Sequence, residues 1–596
     1  MAIGGRYSET DLESHYRISG KKRLFRPFAI LFLLVGLISL FSPAQPIQAG
    51  IDPRFGIIES YESPTAALQA GVGWTRVRFQ WAEVQADGPA SWTPSVTDEQ
   101  IDGEVAAGRL VVGMLIGIPD WARDENNLPK GLWLPYNDPN NSWARFVRNA
   151  VRRYRGRIDH WIIWNEPDIW DEAAPGHTWD GTEEDFLQLQ RTAYLIARET
   201  NPNVVIHLAA TTYFWDAQYG REQYLSRFFQ LLTADPQAEI NNYYFDVLSA
   251  HLYFQPNLIY DVIQEFDRIR EENNIPKKPI WLVETNAPPI NDDSWPVENW
   301  TLSVLLDEQA AFMPEALASA LAAGAERIAI YKLRDVEEDR QANPEPFGLV
   351  RLDGTRRPAF TTYRIAVQYL SDFTEAERER WDSVGQIRVV QPGRTTTVLF
   401  ARLPSEQQAR VRATAERAVL VTMWGERREV IAEDGYFTVD LPSALCTQPI
   451  GDYCMIGGSA FYLVQSDSGG SAPPAPLLPG LATPTLAPDL PTLTPFPTTT
   501  PIPTRTTTPA PTLSWTATPD PTNIPTQTPT TIPSLTPLPT MTSTPAIVLS
   551  PTSPSANQSA DSGPEPLNPI LLAAVGIMFF IAVVLVGKIF LHRESG

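Results

Sequence analysis

The sequence predicts an α/β fold of the (β/α)8 (TIM) barrel class for its central part, residues 50–375. Over this stretch, eight short apolar runs alternate with helical stretches in which apolar residues recur every three or four positions. Eight strands, each followed by a crossover within roughly three hundred residues, fit a closed barrel better than an open doubly wound sheet. No Gly-x-Gly-x-x-Gly pattern follows the first strand, as a dinucleotide-binding fold would require.

The predicted strands are short runs rich in β-branched and aromatic side chains, the composition of strands that are buried on both faces. In chain order they span residues 55–59, 75–81, 110–117, 160–164, 204–210, 245–253, 280–284 and 327–333. Helices with one apolar face are predicted between them at 143–151, 186–198, 258–272 and 302–323. A last helix, at 358–373, closes the ring.

Two of the predicted strands end in a glutamate. Strand four runs into Glu166 and strand seven into Glu284, 118 positions later (284 − 166). Because the carboxyl ends of barrel strands meet at one mouth, we expect the two side chains to face each other. Cleavage of a glycosidic bond requires such a pair, one acid to protonate the leaving oxygen and one carboxylate to attack, about 5 Å apart in retaining enzymes.

The triplet Asn165-Glu166-Pro167 at the end of strand four resembles the acid/base strand of the clan A glycoside hydrolases, which are retaining (β/α)8-barrel enzymes. The resemblance covers about residues 55–373 and looks closest to family 39 and family 5 type enzymes. It implies hydrolysis of β-linked oligo- or polysaccharides, with Glu166 as acid/base and Glu284 as nucleophile. No cofactor and no metal are expected in this chemistry.

The same resemblance implies two neighbours for the nucleophile. Clan A enzymes carry an arginine on strand two, and Arg78 matches that position better than Arg76, which we keep as the alternative. His251 and Tyr253 end strand six, where alternation puts them on one face. Their His-x-Tyr pattern resembles the clan's strand-six motif, in which the tyrosine hydroxyl bonds the nucleophile.

Three more residues are expected to contact substrate by resemblance. Asn165 would bond the sugar 2-hydroxyl, and Trp121, after strand three, resembles the aromatic platform of family 39. Tyr331 stands on strand eight where many relatives place a tryptophan, so the floor of the sugar subsite departs from the family pattern.

Simpler interpretations remain open for several of these residues. A Trp-Asn-Glu-Pro string can be an ordinary turn, and His251 is equally consistent with a structural histidine. Arg76 can simply neutralise a carboxylate inside the barrel. The alternative function is a non-catalytic, surface carbohydrate-binding or adhesion protein on a degenerate barrel. The two intact glutamates favour the enzyme, because a binding protein does not need a spaced carboxyl pair.

A small antiparallel, sandwich-like β domain is predicted after the barrel, at residues 376–467. Its strands are expected at 386–390, 395–401, 418–423, 436–441 and 460–465, separated by turn signals. Cys446 and Cys454, the only cysteines, bracket a loop of this domain. In an oxidising compartment a local disulfide between them is favoured over two free thiols, and two cysteines are too few for a thiolate metal site.

The two ends of the chain indicate export and anchoring. Residues 1–49 read as a signal peptide or N-terminal anchor. Residues 468–568 are rich in Thr, Pro and Ser, which predicts a disordered stalk. A transmembrane helix is predicted at 569–588 and a cytoplasmic tail at 589–596. We therefore expect a monomeric, extracellular catalytic domain anchored at the cell surface.

The net charge of the chain limits the classes of partner that are expected. The formal net charge is -22 at pH 7, and it falls mostly on the globular part. An acidic body argues against nucleic acid as a partner and is ordinary for an exported domain. The expected partners are a carbohydrate substrate and, through the C-terminal helix, a membrane.

Overall fold

The structure is a computed structural model that describes residues 51–174, 176–342 and 344–467. The predicted signal segment 1–49, stalk 468–568, transmembrane helix 569–588 and tail 589–596 lie outside these residues. Among the described helices, none is both long enough and apolar enough to cross a membrane.

Eight parallel strands form the predicted barrel. Their bounds are β1 Phe55–Ile57, β2 Trp74–Gln80, β3 Leu110–Ile116, β4 His160–Ile163, β5 Val205–His207, β6 Leu248–His251, β7 Ile280–Thr285 and β8 Arg327–Ile330. Neighbours pair in chain order from β1 to β5 and from β6 to β8, and β1 pairs with β8. The seam between β5 and β6 is looser, with two isolated parallel bridges, His207 with Val247 and Thr211 with Ala250.

Helices follow the strands, as the apolar periodicity predicts. The described α-helices are Pro64–Ala70, Trp81–Val84, Asp98–Ala106, Ser142–Tyr154, Glu183–Thr200, Phe214–Gln218, Tyr224–Ala234, Pro256–Glu272, Leu306–Ala322, Asp339–Ala342 and Pro358–Leu370. Short 3-10 turns lie at Ser60–Glu62, Asp120–Ala122 and Glu239–Tyr244. The helix Glu183–Thr200 begins at a capping box, in which Thr182 and Asp185 each accept a hydrogen bond from the other's backbone N–H.

The barrel interior at the amino ends of the strands is filled by aromatic and histidine rings. The ring of Trp281 lies 5.3 Å from those of Trp74 and His160 and 4.7 Å from that of His207. Burial lowers the pKa of His160 to about 4 and holds that of His207 well below its usual value, so both rings are neutral at pH 7. This end of the barrel is a packed core, and the functional site is expected at the opposite end, at the carboxyl ends of the strands.

Seven of the eight barrel strands end earlier than predicted, and after two of them the backbone turns left-handed. β1 ends at Ile57, two residues before Glu59, whose φ is 58°. β4 ends at Ile163, because Trp164 follows with φ 73°. A residue with positive φ cannot continue a strand ladder, so in each case the chain turns into the mouth of the barrel.

The antiparallel part begins at Glu375 and contains the five predicted strands and others besides. Its strands are β9 Glu375–Trp381, β10 Val384–Gln391, β11 Arg394–Ala401, β12 Gln407–Arg412, β13 Arg417–Thr422, β14 Arg427–Ile431, β15 Tyr436–Leu441, β16 Pro449–Ile450, β17 Tyr453–Cys454 and β18 Phe461–Ser466. Six of them form one sheet in the order β14-β13-β18-β11-β10-β9, and β12 pairs with β15. Cys446 and Cys454 form the predicted disulfide.

The antiparallel sheet packs against the helix Leu306–Ala322 of the barrel. This helix is buried along nearly its whole length because one side faces the barrel and the other the sheet. Within the contact, Glu315 accepts a hydrogen bond of 2.8 Å from the backbone N–H of Gly457. Burial raises the pKa of Glu315 to about 7. The two parts therefore share one continuous core.

Candidate active site

The backbone after β4 turns Glu166 into the mouth of the barrel. Trp164 and Glu166 both have left-handed φ angles, 73° and 45°. Their N–H groups donate to the carbonyls of Leu115 on β3 (2.9 Å) and Ala210 after β5 (3.0 Å). Two such residues so close together cost about 1–3 kcal/mol each, and strain of this kind clusters at functional sites.

Glu166 and Glu284 meet across the mouth. One carboxylate oxygen of each, together with a ring nitrogen of His251, lie within 4.8 Å of one another. The side chain of Glu284 is 9% exposed and that of Glu166 15% exposed, so the pair is sheltered and still reachable. This separation matches the spacing of about 5 Å expected for a retaining pair.

Glu284 is held as an anion by donors on both oxygens. Arg76, 4% exposed, forms an ion pair with Oε1, and the Tyr253 hydroxyl donates to Oε2. Burial by itself raises the pKa of Glu284, but the charge of Arg76 and, after it, His251 and the Tyr253 hydrogen bond outweigh burial. The pKa therefore lies below its ordinary value.

The arginine beside the nucleophile is Arg76, and the sequence-based choice of Arg78 for that position is wrong. Alternation puts both arginines on the same face of β2, so the sequence pattern does not separate them. Arg76 lies at the depth of Glu284, whereas Arg78 is two residues nearer the rim and is exposed. The charge of Arg78 reaches Tyr61 instead, where it partly offsets the effect of burial, which raises the pKa of that phenol.

His251 connects the two carboxylates. Its Nδ1 lies 2.7 Å from Oε1 of Glu166 and 3.6 Å from Oε2 of Glu284. Its Nε2 is buried without a hydrogen-bond partner among the described residues. A register shift between Ala250 and His251 in the pairing of β6 with β7 accompanies this placement. His251 thus orients Glu166 and fixes its distance from Glu284.

Asn165 contacts the acid/base candidate itself. Its Nδ2 donates to Oε2 of Glu166 over 3.2 Å. Its backbone carbonyl accepts a hydrogen bond from the hydroxyl of Thr178, in the loop that returns over the site. A contact with the sugar 2-hydroxyl stays a prediction, since the described contacts of Asn165 are internal.

Three aromatic rings pack together beside Glu284. The ring of Tyr331 lies 6.3 Å from that of Tyr253 and 5.5 Å from that of Phe347, all edge to face. Asn286, two residues after the nucleophile, donates to the backbone carbonyls of Tyr331 (2.6 Å) and Phe347 (2.7 Å). Tyr331 therefore lies beside Tyr253 on the nucleophile side, and its contact with a sugar stays a prediction. Phe347 is an addition that no sequence pattern indicated.

Trp121 lies in the short turn after β3 and is half-buried. Its indole N–H donates to the backbone carbonyl of Gln85 over 2.6 Å, and its ring packs edge-on against Trp81. The contacts described for this residue do not include either carboxylate. Its role as a sugar platform stays a prediction.

A second charged group, missed by the sequence reasoning, lies where β8 meets the end of β1. The ammonium of buried Lys332 is 2.6 Å from Glu59, 3.5 Å from Glu62 and 3.1 Å from Asp339. Burial, and then the charge of Glu59, raises the pKa of Glu62 to about 8. The negative charge of Glu59 acts electrostatically on both Arg76 and Tyr331. This group of charged side chains therefore borders the nucleophile side of the mouth.

The group Glu166, His251 and Glu284 is also the arrangement that a metal ion could use, since the three ligand atoms lie within 4.8 Å of one another. Two observations favour a carboxylate pair acting without a metal. Arg76 already supplies a full positive charge to Glu284, and a divalent cation beside it would be repelled. Tyr253 donates to Oε2 of Glu284, the oxygen that Arg76 does not contact, so neither oxygen is left free to bind a metal ion.

No protein-family model matches the sequence, and no curated protein matches it. Solved structures do. A family 39 glycoside hydrolase from the gut symbiont Bacteroides cellulosilyticus WH2 aligns with a TM-score of 0.53 at 15% identity, over 70% of this chain and 82% of that chain.

A glucosidase from Croceicoccus marinus (TM-score 0.48, 12% identity) and a monomeric β-xylosidase from Caulobacter crescentus (0.47, 14% identity) each cover 71% of this chain and 97% of their own. The family 39 alignment shows a shared fold, so the sequence-based resemblance to clan A barrels is confirmed at the level of the fold.

Proposed function

We propose that the chain is a retaining glycoside hydrolase that cleaves β-glycosidic bonds with Glu284 as nucleophile and Glu166 as acid/base. The observation that carries this proposal is the carboxylate pair, with oxygens within 4.8 Å, in which one member is held ionised by a buried arginine. A spacing of about 5 Å leaves no room for the water that an inverting enzyme places between its carboxylates.

In the first step, Glu284 attacks the anomeric carbon and the bond to the leaving oxygen breaks. Arg76 and Tyr253 hold both oxygens of Glu284, so its orientation is fixed before the substrate arrives. Glu166 gives its proton to the leaving oxygen, which departs as an alcohol. The product of this step is a glycosyl ester on Glu284.

In the second step, Glu166, now a carboxylate, takes a proton from water as the water attacks the anomeric carbon. The ester to Glu284 breaks, the sugar leaves with its original anomeric configuration, and Glu166 is protonated again. The 2.7 Å contact with His251 keeps Glu166 in one place through both proton transfers. No step requires a cofactor.

A panel of activated aryl β-glycosides tests the proposal. The wild-type protein should hydrolyse at least one of them, with the first-formed sugar in the β configuration by NMR. Glu284→Gln should be inactive, whereas Glu416→Gln, at an exposed carboxylate on the antiparallel β domain, should match wild type. A wild-type protein that binds glycans yet hydrolyses nothing would support the non-catalytic carbohydrate-binding alternative.

A chelator distinguishes the carboxylate mechanism from a metal site at the same three residues. EDTA should leave the rate unchanged, because Arg76 rather than a metal ion holds Glu284 as an anion. Loss of activity that a divalent cation restores would assign Glu166, His251 and Glu284 to metal binding instead.

We also propose that the enzyme acts as a monomer outside the cell, anchored by the apolar segment 569–588 on the stalk 468–568. The disulfide between Cys446 and Cys454 supports an oxidising compartment. Deleting residues 569–596 should release activity from the membrane fraction into the medium. Activity that stays with the cytosol in both forms would contradict export.

A further inference from the structure

We propose that a cavity on the acid/base side of the mouth is the binding subsite for the leaving-group sugar, and that this sugar is neutral. The proposal rests on the proposed hydrolase function. The cavity lies between the loop 167–184, which follows Glu166, and the segment 213–227, which follows β5. Its volume is about 330 Å³, close to what one or two pyranose rings need.

The cavity is lined by residues that directly follow the acid/base residue in the chain. Its lining begins with Pro167 and Asp168, the two residues after Glu166. The loop then returns over the carboxyl group, so that a Cβ added at Gly176 would lie 3.7 Å from Oε2 of Glu166. Because Glu166 protonates the leaving oxygen, the part of the substrate beyond that oxygen must lie on this side.

Trp170 lines the cavity and belongs to a cluster of three aromatic rings. Trp170 and Tyr219 are each 40% exposed, and their ring centroids are 5.0 Å apart. Trp215 is near both rings, at 6.3 Å from each, and lies within 18° of parallel to Tyr219. Arg221 covers one ring of this group, 4.7 Å from Trp170. Such a patch on a soluble surface marks a binding site, and sugar C–H faces stack on indole and phenol rings.

Two buried polar side chains of the lining have atoms that could form hydrogen bonds with a sugar in the cavity. Asp168 is 3% exposed and Tyr224 6% exposed, and both line it. Thr212 donates to Oδ2 of Asp168 through its backbone N–H (2.7 Å) and its hydroxyl (2.8 Å). The other oxygen of Asp168 and the hydroxyl of Tyr224 have no hydrogen-bond partner within the described residues. Sugar hydroxyls can both donate to the first and accept from the second.

The charge of the lining favours a neutral sugar. Its ordinary carboxylates are Glu172, Asp180, Glu183 and Glu184, whereas burial raises the pKa of Asp168 to about 7. The basic side chains of the lining are His177, Arg221 and Arg227. All three basic groups already have acidic partners: Arg227 pairs with Glu183 and Asp216, Arg221 with Asp216, and His177 with Asp180. The guanidinium of Arg221, the more exposed arginine, also covers Trp170. An anionic uronic acid would meet this excess of carboxylates and be disfavoured.

The first test compares two substrates of the same sugar, a β-linked oligosaccharide and the corresponding glycosyl fluoride, whose leaving group makes no contact with the cavity. In Trp170→Ala, the ratio of kcat/KM on the oligosaccharide to kcat/KM on the fluoride should fall about tenfold. Trp424→Ala is the matched control, since Trp424 is also 40% exposed but lies on the β domain.

An unchanged ratio in Trp170→Ala, with an active wild-type enzyme, would overturn the subsite and leave the hydrolase proposal standing. A wild-type protein that hydrolyses neither substrate would overturn both proposals. A ratio that falls equally in Trp424→Ala would show a general effect of tryptophan loss and so would also overturn the subsite.

The second test is Tyr224→Phe, which removes a buried hydroxyl that has no internal partner to lose. The thermal midpoint should not fall, because the substitution deletes a buried unpaired polar group. KM for the oligosaccharide should rise about threefold to tenfold, while KM for the fluoride should not change in parallel. Unchanged KM values would show that the hydroxyl does not contact the leaving-group sugar and would overturn the polar part of the subsite.

Discussion

The two carboxylates at the mouth are held in different ways. Glu284 lies one residue before the end of β7, where the pairing with β6 and β8 shifts register, and it has a donor on each oxygen. Glu166 lies three residues beyond β4, in left-handed backbone, with His251 and Asn165 as its hydrogen-bond partners. One side of the site is a dense network of fixed charge, and the other is a strained turn next to an open cavity.

The difference follows from what each group must do in the proposed mechanism. A nucleophile keeps one charge until it bonds, so it benefits from a buried cation and fixed donors. An acid/base residue gives up and takes back a proton, so it needs reversible contacts and access to the leaving group and water. Each prediction below tests this division, in order of expected effect.

The largest contrast is between removal of the two glutamates. Glu284→Gln should lower kcat by about ten-thousand-fold on every substrate, because nothing replaces the nucleophile. Glu166→Gln should lose about a hundredfold or more on oligosaccharides and much less on a glycosyl fluoride, whose departure needs no proton. Steady-state rates on both substrates measure the contrast, and equal losses in the two variants would contradict the division of roles.

Arg76→Met should lower kcat/KM by about a hundredfold, because it removes the charge that keeps Glu284 ionised. With the cation gone, burial dominates and the pKa of Glu284 rises. The acid limb of the pH–rate profile should therefore move to higher pH. Arg78→Met, at the exposed neighbour, should shift that limb far less, and equal shifts would show that Arg76 is not the relevant cation.

His251→Gln should reduce kcat on oligosaccharides by about ten- to a hundredfold, since it removes the 2.7 Å contact that holds Glu166. The loss should be smaller on a glycosyl fluoride, because His251 acts through the proton donor. A purely structural histidine would lower both rates together, and circular dichroism would show the accompanying loss of folded protein.

The smallest effect concerns stability on the acid/base side. Burial raises the pKa of Asp168 to about 7, above that of an aspartate in the unfolded chain. The protonated form therefore contributes stability that is fully present below about pH 4 and is lost as the pH rises to about 7.

In Asp168→Asn this loss should be absent, so the variant should gain about 1–3 kcal/mol relative to wild type between pH 4 and pH 8. Urea unfolding at the two pH values measures it. Glu172→Gln, exposed in the same loop, should follow the wild-type curve. A wild-type curve that is flat between pH 4 and pH 8 would contradict a buried, protonated Asp168.

The barrel could be predicted because its strands are buried on both faces and read as continuous apolar runs. The β-domain strands Glu375–Trp381 and Arg427–Ile431 could not. Both lie at sheet edges, where charged side chains face solvent and hide the strand pattern. In β9 the exposed glutamates pair with Arg388 on β10, a contact that no local pattern reveals.

The residues of the candidate site also divide into those that the sequence could predict and those that it could not. Glu166, His251, Tyr253 and Glu284 lie within three residues of strand ends, so their convergence follows from the barrel. Depth along a strand decided between Arg76 and Arg78, and periodicity does not encode depth. Phe347 and the cavity beside Glu166 belong to loops, whose paths depend on contacts such as the Asn286 hydrogen bonds rather than on alternation.

Covalent trapping of the nucleophile tests the central claim most directly. A 2-deoxy-2-fluoro-β-glycosyl fluoride of the preferred sugar should inactivate the enzyme and add one glycosyl unit, and peptide mass spectrometry should locate that unit on Glu284. Labelling of a different residue, or turnover that releases the α-anomer without a trapped intermediate, would contradict a retaining mechanism on this carboxylate.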